Sequence, residues 1–402
     1  MAAHAFLDHD RAKSLIAGRP SSSGCPFMPV FGPPQVMFVR GEGTRLWDDE
    51  GKEYLDFLCG LAVTSLGHSH PAVAHAISEQ ASTLLHVSNF FANPVATEVA
   101  VQIDALHGGG GQVFFCNSGA EANEAAFKIA RKFGGRGRHA VVSALGSFHG
   151  RTLAALAATG QPEKHEPFQP MPDGFHHVAF GDLDALAAAL RPSVAAVILE
   201  TIQGEGGVVP ATIEYLRGAE SLCREHGALM IIDEVQTGFA RTGEWFGYQS
   251  AGVSPDIVTM AKGLGNGVPI GAVWAKRDVA GVMKPGDHGS TFSGTAIATA
   301  AAKAVIATMK EIDAPKLARD RGAELKSGLL EIPSVVAVHG AGLLLAAELA
   351  QGLDSKKIAA ELLARGLIVN AVTASRLRFA PPLTVSTSEI AQALGILREV
   401  LS

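Results

Sequence analysis

Two hydrophobic patterns divide the chain. Between residues 60 and 290, short apolar runs recur at 113–116, 141–144, 194–200, 229–233, 257–261 and 270–275. They are rich in β-branched residues, and several end on a polar side chain. Runs that are continuous rather than alternating predict strands buried on both faces. Amphipathic stretches lie between them. Over 120–132, Ala122, Ala125, Ala126, Ile129 and Ala130 fall on one face of a helix, and 213–226 also reads as a helix. Buried strands alternating with helices predict an α/β fold around a mostly parallel sheet.

The flanks read differently. Residues 1–35 are rich in Gly, Pro and Ser and read as an arm. Residues 36–57 hold short apolar runs broken by polar positions, the pattern of strands joined by turns. Beyond 295, an alanine-rich helix (296–310) precedes a hairpin-like pair (335–339 and 343–348) and a helix near 355–364. Strands near 367–372 and 377–379 and a helix at 388–401 follow. The expected division is an arm (1–35), a large α/β domain (60–294), and a smaller α+β domain made by 36–59 with 295–402.

Composition narrows the function. The chain has 402 residues, and 47% are hydrophobic against 18% charged, enough apolar surface for a large core and against disorder. Lys+Arg number 33 and Asp+Glu 39, a net charge of −6 without a basic run, so no nucleic-acid partner is expected. No apolar stretch is long enough to span a bilayer, and the first residues lack the basic and apolar parts of a signal peptide. Cys25, Cys59, Cys116 and Cys223 are scattered, which argues against a disulfide framework. His68 and His70 have no third ligand at suitable spacing, so no metal is expected. This reads as a cytoplasmic enzyme.

Lys262 ends an apolar run and precedes Gly263-Leu-Gly-Asn-Gly267. A desolvated lysine there would have a lowered pKa and attack carbonyls, although a turn lysine is also an ordinary surface residue. The glycines at 263, 265 and 267 suggest a dinucleotide loop only weakly, since Val268 stands where the third fingerprint glycine belongs. Asp233 ends the run 229–233, on the side where α/β sheets bind ligands. A lysine that forms an imine and a carboxylate that keeps a pyridine nitrogen protonated are the minimum equipment for pyridoxal 5′-phosphate. Ser118, Gly119 and Ala120 would offer backbone N–H groups to its phosphate at a helix N-terminus. Phe148 could stack on a ring, and Arg151 could hold a carboxylate.

Taken in order, Asn117-Ser-Gly-Ala-Glu-Ala-Asn123, Phe148-His-Gly-Arg-Thr152, Glu200-Thr-Ile-Gln-Gly-Glu-Gly-Gly207, Ile232-Asp-Glu-Val-Gln-Thr-Gly238 and Ala261-Lys-Gly-Leu-Gly265 resemble the class III pyridoxal-phosphate aminotransferases. The resemblance covers about 36–402 and implies the fold type I of pyridoxal-phosphate transferases. Within the class, Leu66-Gly-His-Ser-His-Pro71, His288-Gly-Ser-Thr-Phe292 and Leu377-Arg-Phe-Ala-Pro-Pro-Leu383 resemble the N-acetylornithine branch. That implies transfer of the δ-amino group of N2-acetylornithine to 2-oxoglutarate, giving the semialdehyde and glutamate, as in arginine biosynthesis. Ornithine, 4-aminobutyrate and succinyldiaminopimelate are the alternative donors.

By the same resemblance Lys262 would bind the cofactor aldehyde and move the proton. Asp233 would face the ring nitrogen, with Glu234 beside it, and Gln236 the ring hydroxyl, while Val235 and Phe148 would sandwich the ring. Thr291 would reach the phosphate from the other subunit of a homodimer, with Ser290 near the substrate. Arg151 would take a substrate carboxylate. Arg378 and Glu205 would form a switch, paired with the amine donor present and parted when glutamate or 2-oxoglutarate enters. Three positions depart from the pattern: Thr201 replaces a usual proline, Thr64 a common Asn, and Ser293-Gly-Thr-Ala296 the usual Gly-Gly-Asn-Pro.

Overall fold

Seven strands form the central sheet of the structure, a computed structural model that describes residues 27–401 except 29, 32 and 33. The expected arm at 1–35 therefore lies mostly outside the described residues, as does Cys25. Across the sheet the strands run Gly111–Cys116, Gly271–Lys276, Ile257–Met260, Leu229–Asp233, Val194–Glu200, Ala140–Ala144 and Phe175–Val178. Gly271–Lys276 is antiparallel to both its neighbours, and the other pairings are parallel. Six strands coincide with the apolar runs. The seventh, Phe-His-His-Val at the sheet edge, is only partly buried and carries two histidines, so it has no such signature.

Each parallel strand brings its C-terminal end to one rim of the sheet. There Asp233 lies in register with Glu200 on one side and Thr259 on the other. Helix Gly119–Gly134 starts at the same rim. Ser118 caps it by accepting from the Glu121 N–H at 3.2 Å. Glu121 in the first turn and Arg131 and Lys132 in the last complement the helix dipole.

The N-terminal strands Phe38–Glu42, Arg45–Asp48 and Glu53–Asp56 form a second sheet that ends on Leu367–Ile368, with Leu55 opposite Leu367. A third, antiparallel sheet runs Val335–Ala341, Leu344–Leu349, Arg376–Phe379, Asn370–Thr373. Helix Ala296–Glu311 packs on helices Pro71–Thr83 and Pro94–Leu106. Helix Ala314–Leu330 packs on the third sheet and has no counterpart in the sequence reading. Gly322 and Gly328 within it lower its intrinsic propensity, and tertiary packing overrides that: a side chain at Gly322 would collide with the Gly342 backbone.

Candidate active site

The rim gathers a set of buried charges. Asp233 is buried, and its Oδ2 accepts from His149 Nδ1 at 2.8 Å and Asn123 Nδ2 at 2.9 Å. Its Oδ1 accepts from the Val235 N–H at 3.0 Å. The carboxylate is therefore fixed in direction. Glu200, its neighbour in register, accepts from the N–H groups of Phe148 at 3.1 Å and Gly204 at 3.3 Å. Burial pushes the Glu200 carboxyl up to about 7, and the nearby Asp233 adds to this, while His149 opposes it.

Lys262 follows the strand Ile257–Met260 and holds a left-handed φ of 43°. Strain of this kind, about 1–3 kcal/mol, persists only where the surroundings over-determine it. Burial lowers the Lys262 amine to about 8, with Arg378 adding to the effect and Glu205, Asp233 and Glu200 opposing it. The lowered basicity favours the free base, the form that attacks carbonyls, relative to an ordinary lysine.

Arg378 is 1% exposed. Its Nη1 donates to Glu205 Oε1 at 2.7 Å and to Gln236 Oε1 at 3.4 Å, and its Nη2 to Asn370 Oδ1 at 2.8 Å. Burial works against the charge on Glu205, but Arg378, then Lys262 and Lys164, hold its carboxyl below the ordinary value.

The remaining candidates fall into two groups. Gly119 lies against Val235, since a Cβ there would come within 2.8 Å of the valine methyls, and Ala120 packs beside Gly150. Phe148 is half-buried, with the exposed Arg151 guanidinium 5.6 Å from its ring centroid. Ser290 Oγ accepts from Asn117 Nδ2 at 3.0 Å. Two candidates stand apart within this chain. Thr291 is exposed. Glu234 turns its carboxylate away from Asp233, to Thr237 Oγ1 at 2.6 Å and the N–H groups of Gly247 and Tyr248 at 2.9 Å, so the side chain is not part of the cluster. Burial raises that carboxyl to about 7.

The sequence reading missed His149, Asn123, Glu200 and Asn370 as functional positions. Asn123 did leave a trace, as a polar side chain on the otherwise alanine-lined buried face of its helix.

These residues fit pyridoxal 5′-phosphate. A buried lysine of lowered basicity lies within electrostatic reach of an oriented buried carboxylate, and a capped helix N-terminus opens at the same rim. At this rim Asn123 Oδ1, His149 Nε2 and Arg378 Nε are buried without a hydrogen-bond partner and are open to a bound group.

Comparison with known proteins agrees with this geometry. Residues 29–401 match the family described as aminotransferase class-III. An acetylornithine aminotransferase of Caldanaerobacter subterraneus is 47% identical over 376 residues, covering 91% of this chain and 95% of that protein. A succinylornithine transaminase of Salmonella typhimurium is 44% identical, covering 91% of this chain and 92% of that one. Among solved structures, the ornithine aminotransferase of Toxoplasma gondii, described with partial occupancy of PLP at its active site, superimposes with a TM-score of 0.87 at 34% identity over 91% of this chain and 90% of that one. With Lys262 and Asp233 brought to one rim of the sheet and a family match over nearly the whole chain, this protein belongs to the class-III aminotransferases.

Proposed function

We propose that the protein moves the δ-amino group of N2-acetylornithine to 2-oxoglutarate, giving N-acetylglutamate 5-semialdehyde and glutamate. The observation that carries this is the pairing of buried Arg378 with half-buried Glu205 near Lys262. A site that accepts a monocarboxylate amine donor and a dicarboxylate in turn needs a cation that can be masked and unmasked, because an unpaired buried arginine is costly. The names of the relatives support an acylated ornithine as the donor.

Bound pyridoxal 5′-phosphate supplies the aldehyde that condenses with an amine and the ring that accepts the electrons left when a C–H proton departs. Lys262 would hold the cofactor aldehyde and would move a proton at its Nζ. Asp233, oriented by His149 and Asn123, would keep the ring nitrogen protonated, and Gln236 would meet the ring hydroxyl. Val235 and Phe148 would flank the ring. The Ser118, Gly119 and Ala120 N–H groups would receive the phosphate, with Thr291 from the second subunit of a homodimer. Ser290 and Arg151 bind substrate, Arg151 through a carboxylate. Exposed Phe90 and Phe91, and Phe292 next to Thr291, support such an interface. We assign the enzyme to the cytoplasm, with 36–59 and 295–402 forming the smaller domain and 60–294 the larger.

The test is the half-reaction. Cofactor-loaded protein is mixed with N-acetylornithine, ornithine, 4-aminobutyrate or succinyldiaminopimelate without a keto acid, and the cofactor absorbance is followed. N-acetylornithine should convert it fastest, by about tenfold, or roughly 1.4 kcal/mol of barrier. Another donor winning overturns the substrate assignment. Near-normal turnover in Lys262→Ala overturns the role of that residue.

A further inference from the structure

The loop that carries Glu205 is fastened to the third sheet at a second point. Arg376 stands two residues before Arg378 on the strand Arg376–Phe379, so both side chains leave the same face. Arg376 Nη1 donates to the Gly207 carbonyl at 3.1 Å, and its Nη2 donates to Glu348 Oε2 at 3.0 Å. Glu348 lies opposite Arg376 in the sheet register, and His339 Nε2 lies 2.7 Å from the same oxygen. The loop backbone is also tightly enclosed. The Gly204 N–H donates to Glu200 Oε1 at 3.3 Å, a side chain at Gly206 would come within 2.8 Å of the Gly146 carbonyl oxygen, and one at Gly207, which has a φ of +108°, would come within 3.0 Å of Thr373 Cγ2.

Glu205 therefore sits between two pinned residues. The backbone has little room to follow Arg378, whereas the Glu205 side chain keeps about a third of its surface exposed. A loop free to travel would let Glu205 stay paired with Arg378 as the arginine turned toward a dicarboxylate. A pinned loop forces the pair to part.

We propose that Arg376 is a positioning residue for substrate discrimination: by holding the Gly207 carbonyl, it fixes the base of Glu205, so that Arg378 is released to the second carboxylate of 2-oxoglutarate or glutamate instead of dragging its partner along. This inference rests on the switch role given to Arg378 and Glu205 above.

The test is steady-state kinetics of the cofactor-loaded enzyme, with cofactor absorbance and thermal midpoint recorded as checks on the fold. In Arg376→Ala, KM for 2-oxoglutarate should rise about five- to tenfold with kcat within about threefold, and KM for the amine donor should stay within about twofold. Arg376→Lys, which keeps the charge and a donor, should recover part of the loss. In a Glu205→Gln background the further effect of Arg376→Ala should disappear, because there is no charged partner left to place. If Arg376→Ala does not fold, Glu348→Gln, which frees the guanidinium, should give the same split at smaller size. Equal changes in both KM values, no change in either, or an effect that persists with Glu205→Gln would overturn the proposal. If Glu205→Gln by itself leaves the balance between the two substrates unaltered, the switch reading falls and the anchor with it. If Glu205→Gln shifts the balance but Arg376→Ala does not, only the anchor falls.

Discussion

Arg241 and Arg378 are buried to the same degree, 1% exposed each, yet they are held in opposite ways. Arg378 faces a carboxylate, Glu205, that retains contact with solvent. Arg241 bonds to neutral groups: its Nη1 donates to the carbonyls of Leu343 at 3.2 Å and Pro381 at 2.5 Å, and its Nη2 to Ser65 Oγ at 3.1 Å. Burial lowers the Arg241 guanidinium to about 10. Three segments distant in sequence meet on it, and the Leu343 N–H returns a bond to its carbonyl. A cation held by main-chain carbonyls has nothing to exchange and acts as a clamp. A cation held by a movable carboxylate can trade one anion for another. What separates a structural arginine from a functional one here is the partner, since burial is equal.

Replacement should separate the two most sharply. Arg241→Met should cost about 3–5 kcal/mol of stability, because carbonyls desolvated around the guanidinium lose their donor. Denaturant unfolding of the cofactor-loaded protein checks this, and a loss below about 1 kcal/mol would end the distinction. Arg378→Met should leave the fold nearer intact but lower kcat/KM for 2-oxoglutarate about 100-fold, or roughly 2.7 kcal/mol. Steady-state kinetics decide it, and an equal loss for the amine donor would remove the switch from the comparison.

Acid should act on one arginine only. Glu205 has a folded pKa below its ordinary value, so the pair contributes stability above pH ~4.5 that is lost as pH falls through the folded pKa. The stability difference between wild type and Arg378→Met, about 1–2 kcal/mol once the exposure of Glu205 is discounted, should shrink as pH falls below about 4.5 and through the lowered folded pKa. The difference for Arg241→Met should persist, since no carboxylate is among its hydrogen-bond partners.

The smallest effect calibrates what an unpaired atom costs. Both arginines leave Nε without a partner, and so does the buried Thr201 Oγ1. Thr201→Val keeps the shape and removes the orphan hydroxyl, so it should gain about 1 kcal/mol in denaturant unfolding. A loss would mean that the hydroxyl is satisfied in solution and that orphan atoms are a poor guide to the two guanidinium groups.

Much of the architecture was legible in local sequence. Strands buried on both faces must be continuously apolar, and six of the seven central strands were. Phe175–Val178 was not, because a strand at the sheet edge is only partly buried and tolerates the two histidines at its centre. Helix Ala314–Leu330 was hidden by glycines that tertiary contact requires. In the site, Lys262 and Asp233 stood out because each ends an apolar run. Glu234, one residue on, was grouped with them, but the alternation of a strand end sends its carboxylate to the opposite side, toward Gly247 and Tyr248.

The sequence by itself determined the strand–helix alternation, the placing of chemical residues at strand ends, and the order of motifs that resembles one aminotransferase class. These are local properties, set by neighbours within a few positions. The tertiary structure decided which side chains share a partner. His149 and Asn123 converge on Asp233 from 84 and 110 residues away. Glu205 meets Arg378 across 173 residues, and Arg241 reaches Pro381 across 140. Such pairings depend on how the sheets pack, and a buried charge takes its chemistry from the partner that packing supplies.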